Sequence, residues 1–130
     1  MLYGLGHIWA YQNIEREIVG FGTIDYCDDY TSITAGKDHV YIPLLAVHPA
    51  MQRRGYGQSI VNHLFDQSVI AAVDLKDHCH DAVLLDVYAS NQGAIALYEK
   101  CDFVKLTGEL MDDIEKQSYF VMGRSLRISG

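Results

Sequence analysis

The sequence predicts an α/β (α+β) fold: a mixed, mostly antiparallel twisted sheet with a central βαβ unit. An apolar run from Tyr41 to Val47 stops before Pro49, and a basic turn containing Gly55 and Gly57 leads into an amphipathic helix. A second apolar run, Ala82 to Tyr88, follows that helix. Because a helix separates the two runs, we expect these strands to pair in parallel within the sheet.

Length and composition indicate one globular domain over residues 1–130. Hydrophobic residues make up 49% of the chain and charged residues 21%, which is ordinary for a globular protein. The formal net charge of −7 argues against a nucleic-acid partner and favours a cationic substrate.

The three cysteines, Cys27, Cys79 and Cys101, lie far apart and form no C-x-x-C pair, which predicts reduced thiols in the cytoplasm. Residues 1–11 lack the basic start of a secretion signal, and no run approaches the length of a membrane span. The run His78 to His80 has no matching second pair of ligands, so we expect no metal.

Before the glycine turn, we expect three strands. Residues 7–11 and 18–26 are rich in β-branched and aromatic residues and predict a hairpin. The polar segment 28–38 predicts a loop, and residues 40–47 predict the third strand.

After the turn, the expected order is helix, strand, helix and two closing strands. The first helix has apolar residues at helical spacing, namely Ile60, Val61, Leu64, Phe65, Val69 and Ala72. The strand 82–88 contains Asp86, which we expect to be buried. A shorter helix begins near Asn91, and residues 103–106 and 119–122 predict the closing strands.

The glycine turn has the features of an anion site. Two glycines two residues apart allow close backbone approach, and the N–H groups of the first helical turn carry partial positive charge. Gln52, Arg53 and Arg54 add donors just before Gly55. The ligand predicted is therefore a phosphorylated cofactor, although the turn alone also fits an unrelated phosphate-binding α/β module.

Two stretches together resemble the GNAT superfamily of N-acetyltransferases. Ala46 to Pro49, followed by the segment Gln52 to Gly57, is similar to the acetyl-CoA loop of that family. Leu85 to Asn91, followed by Ala94 to Phe103, resembles its late motif N-x-x-A-x-x-L-Y-x-x-x-G-F. In sequence this stretch is most similar to bacterial enzymes that acetylate the N-terminal amine of a ribosomal protein. The usual glycine of that motif is Asp102 here, a residue type that tolerates left-handed backbone geometry.

The resemblance implies acetyl-CoA as co-substrate, without a metal. It places the cofactor against three sets of residues: the strand Leu45, Ala46 and Val47, the turn Gln52, Arg53, Arg54, Gly55, Tyr56, Gly57 and Gln58, and the helix start at Asn91. Asn91 also fits the N-cap of its helix, and both roles are compatible.

The resemblance also implies an acid and a base. Tyr98 corresponds to the family's general acid, with a core-facing ring as the alternative. Asp86 lies where the similar ribosomal-protein enzymes carry a glutamate, which implies a general base acting directly or through a water molecule. A structural Asp86 is the alternative, and then Asp25, His39 and Tyr41 are the next candidates for the base.

Family members usually begin with a strand and two helices that form one wall of the acceptor groove, and this sequence begins at the hairpin. We therefore expect a homodimer in which a neighbour completes the wall. The expected acceptor is a primary amine, either a small cationic molecule or a peptide N-terminus. A non-catalytic acyl-CoA-binding module is the alternative function.

Overall fold

The computed structural model describes residues 6–27, 39–52, 54–75 and 81–126. Their elements are, in order, β1 (Gly6–Gln12), β2 (Ile18–Cys27), β3 (His39–Ile42), β4 (Leu45–Val47), a 3-10 turn (Pro49–Met51), α1 (Tyr56–Leu75), β5 (Ala82–Tyr88), α2 (Gln92–Lys100), β6 (Val104–Lys105), β7 (Leu110–Asp112) and β8 (Gln117–Ser125). No helix within these residues is both long and apolar enough to cross a bilayer.

The eight strands form one sheet in the order β1-β2-β3-β5-β8-β6, with β4 also on β2 and β7 also on β8. Among the strands of the described residues, β3 and β5 alone pair in parallel, through Tyr41 with Leu84 and Ile42 with Leu85. All other pairs are antiparallel. The predicted fold class, with a parallel βαβ unit in a mostly antiparallel sheet, is confirmed.

The prediction of one continuous strand over residues 40–47 is wrong, because a β-bulge divides it into β3 and β4. Between the Asp25–Tyr41 pair and the Gly22–Leu45 pair, the register advances by three residues on β2 and by four on the opposite strand. Pro43 lies at this point and has no N–H to donate to the ladder. The strand therefore keeps β2 as its partner but loses β5.

The closing part of the sheet holds three strands rather than the two expected. The short strand β7 forms a hairpin with β8, and the turn between them is stabilised by Asp112, whose carboxylate accepts the N–H groups of Ile114 at 2.9 Å and Glu115 at 3.1 Å. A strand of three residues carries too little apolar periodicity to be recognised from the sequence.

Helix α1 packs closely on one face of the sheet, at the glycines of β2. A β-carbon at Gly20 would lie 2.8 Å from the Cδ1 of Ile60, and one at Gly22 would lie 2.7 Å from the Cδ1 of Leu64. Further along the helix, the hydroxyl of Tyr26 donates to the carbonyl oxygen of Ala71 at 3.2 Å. The hydrophobic core cluster of the protein lies on this face of the sheet.

A polar contact fastens β1 to the same helix. The hydroxyl of Tyr11 lies 2.7 Å from the Nδ1 of His63, and the rings of Trp9 and His63 meet edge to face at 5.5 Å. Burial raises the pKa of Tyr11 to about 12. The phenol is therefore protonated, and able to donate to His63, throughout the neutral range.

Helix α2 ends in a Schellman turn centred on Asp102. The N–H of Phe103 donates to the carbonyl of Tyr98 at 2.9 Å, and the N–H of Asp102 donates to the carbonyl of Glu99 at 3.1 Å. Asp102 has a φ of 69°, in the left-handed region. The sequence-based prediction that aspartate preserves this turn in place of glycine is confirmed.

Asp102→Gly is expected to stabilise the protein, because glycine adopts the left-handed conformation without the steric cost that aspartate carries. We expect the free energy of unfolding, measured by urea denaturation, to rise by up to about 1 kcal/mol. Glu99→Gly, at a helical position of the same element, serves as the control and should lower it by about 1 kcal/mol. A decrease in both variants would contradict this account of the turn.

Candidate functional site

A cleft lies between β4, the turn before α1 and one side of α2. Its volume is about 630 Å³, which is within the range of sites that hold small ligands and cofactors. Its lining residues are Leu45, Val47, Gln52, Gly55, Gly57, Gln58, Asn91, Gly93, Ala94, Ala96, Leu97, Tyr98 and Lys100.

One wall of the cleft is the edge of β4 that β5 no longer covers. The carbonyl of Leu44 accepts from the N–H of Thr23, and the N–H of His48 donates to the carbonyl of Val19, so both groups face β2. Because alternate residues of an antiparallel strand face the same partner, Ala46 also bonds towards β2. The main-chain groups of Leu45 and Val47 point the other way, into the cleft.

The turn before α1 supplies the floor of the cleft. Gly55 has a φ of 84°, which other residue types rarely adopt. A β-carbon at Gly57 would lie 3.0 Å from the Cδ2 of Leu97 on α2, so this glycine lets the two helices approach at the base of the cleft. Helix α1 begins at Tyr56, and the N–H of Ser59 donates to the carbonyl of Gly55 at 3.2 Å. The N–H groups that precede Ser59 in the first turn are the ones that a helix start offers to a ligand.

The polar side chains predicted around this turn differ in placement. Gln52 lines the cleft and donates through Nε2 to the carbonyl of Val47 at 3.3 Å. Arg54 is exposed and lies against the sulfur of Met51, and neither Arg54 nor Tyr56 lines the cleft. Arg53 lies outside the described residues.

Asn91 begins α2 and lines the cleft as well. Its Oδ1 accepts from the N–H of Ala94 at 3.1 Å, which is the N-cap contact expected from the sequence. The side chain is exposed at the cleft. Capping and contact with a ligand are therefore geometrically compatible.

Tyr98 extends from α2 into the same cleft. The residue is 9% exposed, and its ring packs against that of Phe103 with centroids 6.1 Å apart. Burial raises the pKa of the phenol, and the neighbouring Cys101 thiol raises it further. Tyr98 therefore packs its ring in the core and also lines the cleft, so its geometry is compatible with both roles that the sequence left open.

Asp86 departs from expectation, because its side chain is exposed rather than buried. Its neighbours Leu85 and Val87 are buried within the core, so the carboxylate points to the opposite face of β5. There it accepts a hydrogen bond from the hydroxyl of Tyr41, at 2.5 Å from Oδ2. The sequence run was apolar enough to predict burial, but only one face of the strand is covered at this position.

The acid and base candidates are thus on opposite faces of the sheet. Tyr98 belongs to the core cluster on the face covered by α1 and α2, whereas Asp86 lies on the other face. The sheet is interrupted between β4 and β5, because β4 pairs with β2 whereas β5 pairs with β3. Such an arrangement can hold an extended ligand on the helix side and admit a second reactant from the other side.

Five cleft residues on α2 were not predicted as site residues from the sequence: Gly93, Ala94, Ala96, Leu97 and Lys100. Their spacing of three and four residues was the available signal, since it places small residues and one lysine along a single side of the helix. The apolar stripe that buries Ile95 and Tyr98 obscured this second side.

The alternative bases lie near Asp86. Asp25 pairs with Tyr41 across β2 and β3, and its Oδ1 accepts from the N–H of Tyr26 at 2.8 Å. His39 is fully buried, with its ring edge to face with Tyr41. The metal candidates of residues 78–80 lie outside the described part of the chain, and among the described residues no cluster of three or more potential metal ligands occurs.

A family model described as "Acetyltransferase (GNAT) family" matches residues 3–103 of the chain. Curated relatives agree with it. The [ribosomal protein bS18]-alanine N-acetyltransferase of Salmonella typhimurium is 40% identical over 63 residues, and that of Escherichia coli K12 is 38% identical over the same length. Each match covers 48% of this chain and 38% of the relative.

Solved structures share the fold along nearly the whole chain. The Escherichia coli ribosomal-protein-S18-alanine N-acetyltransferase superposes with a TM-score of 0.69 at 20% identity, covering 99% of this chain and 74% of that one. The Vibrio cholerae spermidine N-acetyltransferase in complex with CoA and spermine gives a TM-score of 0.72 at 17% identity, with coverages of 95% and 67%. At these identities the likeness establishes the fold.

Asn91→Ala is expected to lower the free energy of unfolding by about 1 kcal/mol, because the N–H of Ala94 loses its cap. Asn91→Ser, which retains an acceptor oxygen of similar reach, should recover most of that loss. Urea denaturation of both variants measures the difference. Wild-type stability of Asn91→Ala would show that the cap contributes nothing.

Proposed function

Because this chain belongs to the acetyltransferase (GNAT) family, we propose that it transfers the acetyl group of acetyl-CoA to a primary amine. The proposal rests on the cleft at the free edge of β4. One end of this cleft is lined by the glycine turn at the start of α1, and the buried Tyr98 also lines it. Family members use acetyl-CoA or CoA, and one structural neighbour is a complex with CoA. Residues 1–130 form one such domain in this proposal.

The turn from Arg53 to Gln58 receives the pyrophosphate of the cofactor. Its support is the helix start at Tyr56, where converging N–H groups and the helix dipole favour an anion. Lys100 and Gln52 line the same cleft and add a charge and a donor there. Because the chain has a net charge of −7 and repels an anion overall, a positive charge such as Lys100 at the cleft helps to attract an anionic cofactor.

The pantetheine arm lies along β4. Leu45 and Val47 direct their main-chain groups into the cleft, so an amide-bearing chain can pair with them as a further strand would. Ala46 lies between them and bonds towards β2, so its contribution is to hold the edge in place. Asn91 faces the arm from the start of α2.

Tyr98 is the general acid of this reaction. The amine nitrogen attacks the thioester carbonyl, the carbon–sulfur bond breaks, and the departing thiolate takes the proton of the phenol. The pKa of Tyr98 is raised above the ordinary tyrosine value of ~10. The phenol therefore stays protonated up to that pH and somewhat beyond it. Tyr98 therefore introduces no alkaline decline of activity in the neutral range.

Asp86 is the general base, and it removes a proton from the incoming ammonium directly or through a water molecule. Its exposure on the face opposite the cofactor cleft supports access for an amine from solvent. Asp25 and Tyr41 lie beside it on neighbouring strands, which makes this surface polar and acidic. Such a surface attracts a cation.

The acceptor in this proposal is a cationic primary amine, either a small molecule or a peptide N-terminus. The relatives named above act on an alanine N-terminus of ribosomal protein bS18 or on spermidine, and both acceptors carry ammonium groups. Nucleic acid is not a partner in this proposal, since the net charge is negative. The proposed location is the cytoplasm, supported by the free, buried thiol of Cys101.

A homodimer is part of the proposal. The edge strand β1 carries Ile8, which is 60% exposed, and Phe21 on β2 beside it is 45% exposed. An apolar edge of this kind favours pairing with another chain. A second copy placed there would complete the wall of the acceptor groove next to Asp25.

The wild-type protein is expected to release free CoA thiol when acetyl-CoA is mixed with peptides beginning in alanine, polyamines and aminoglycosides. Tyr98→Phe should lower kcat by roughly 10² or more, because the thiolate loses its proton donor, while CoA binding persists. Tyr26→Phe also loses one hydroxyl but lies outside the cleft, and it should retain full activity. Binding of CoA without thiol release for any amine would instead identify a non-catalytic acyl-CoA-binding module.

Gly57→Glu is expected to abolish protection by CoA in a thermal-shift titration, because it places a carboxylate at the proposed pyrophosphate site. Gly55→Val should act similarly, since valine disfavours a φ of 84° and the turn must change shape. Gly108→Glu adds the same charge in open space away from the cleft and should leave protection unchanged. Full CoA protection in both turn variants would refute the placement of the cofactor.

A further inference from the structure

The hydrogen bond between Tyr41 and Asp86 joins two neighbouring parallel strands on the face opposite α1. Tyr41 is in register with Leu84, so Asp86 lies two residues further along β5 and on the same face. The phenol hydroxyl donates to Oδ2 at 2.5 Å. This is a short, charge-assisted bond between residues 45 positions apart in the sequence.

Both partners stand on rigid backbone. Val40 and Ile42 flank Tyr41 and are buried, as are Leu85 and Val87 around Asp86. The ring of Tyr41 also meets that of His39 edge to face, with centroids 6.2 Å apart. The hydroxyl is therefore held at one place over β5 by strand pairing and by packing of its ring.

Two carboxylates, one on each adjacent strand, lie beside Tyr41 on the same face of the sheet. Asp25 is its register partner on β2, and Asp86 is its hydrogen-bond partner on β5. A phenol has a single proton to donate, and that proton is committed to Asp86. The Oδ1 of Asp25 is engaged by the N–H of Tyr26. The arrangement therefore singles out Asp86 as the carboxylate whose orientation is controlled.

We propose that Tyr41 is a positioning residue for the reaction: its hydroxyl holds the carboxylate of Asp86 in the orientation that accepts the proton of the acceptor amine. The inference rests on the proposed function. Aspartate is one carbon shorter than glutamate, so its reach depends strongly on the plane and rotamer of the carboxylate. Tyr41 itself gives up no proton in the reaction, and the proton of the ammonium goes to Asp86.

A double-mutant cycle tests this role. Tyr41→Phe keeps the ring and removes the hydroxyl, and it should lower kcat by roughly ten- to a hundredfold, as expected for loss of a bond to a charged group. In the Asp86→Asn background, which is itself slow, the same change should have no further effect on kcat. The KM for acetyl-CoA and the thermal shift on CoA binding should be those of the wild type in all four proteins.

A second cycle provides the control. Tyr41→Phe combined with Tyr98→Phe should multiply the two individual losses in kcat, because the residues lie on opposite faces of the sheet and share no partner. Full activity of Tyr41→Phe, or a loss that persists unchanged in the Asp86→Asn background, would overturn the inference while acetyl transfer stands. A wild-type protein that acetylates none of the amines would overturn both.

Discussion

The loss of one strand neighbour at Pro43 is the constraint on which the rest of the structure depends. Up to Ile42 the strand is enclosed between β2 and β5, and beyond the bulge it is held by β2 alone. Main-chain groups of Leu45 and Val47 are then directed at a space rather than at a partner strand. The carbonyl of Val47 accepts from the Nε2 of Gln52. The other main-chain groups that face this space need water or a ligand in place of the missing strand, because unpaired main-chain groups are costly in a dry core.

The helices close that space into a cleft because small residues let them approach it. Gly20 and Gly22 allow α1 to lie directly on β2, and Gly57 allows its first turn to meet Leu97 of α2. The same packing aims the N-terminus of α1 at the cleft, next to the free edge of β4. Three close contacts, each between a glycine and an isoleucine or leucine side chain, thus place the start of α1 beside the free edge of β4.

The sheet also separates two environments. On the helix side, burial holds the pKa of Tyr98 high and keeps its proton in place. On the other side, Asp86 remains exposed to water and is held by Tyr41. A buried phenol beside the cleft and an exposed carboxylate on the other face would suit the proposed acyl transfer, in which cofactor and amine arrive from opposite sides of one sheet.

Local patterns were sufficient for much of this protein, and their limits have physical causes. Strand–turn–helix spacing, the N-cap at Asn91 and the left-handed turn at Asp102 depend on neighbours a few residues away, so the sequence alone predicted the fold class, the glycine turn and the ends of α2. The glycine turn and the motif that ends at Phe103 indicated the family, and the family model confirmed it.

Only the tertiary structure decided where Asp86 points, which strand β4 keeps as a partner and which side of α2 lines the cleft. Asp86 sits in an apolar run, yet its exposure depends on what covers each face of β5. Its hydroxyl partner comes from a strand 45 residues earlier, a contact created by the parallel pairing of β3 and β5. Periodicity identifies a strand and its two faces, whereas the assembled sheet determines which face meets water, because burial is a property of the whole fold.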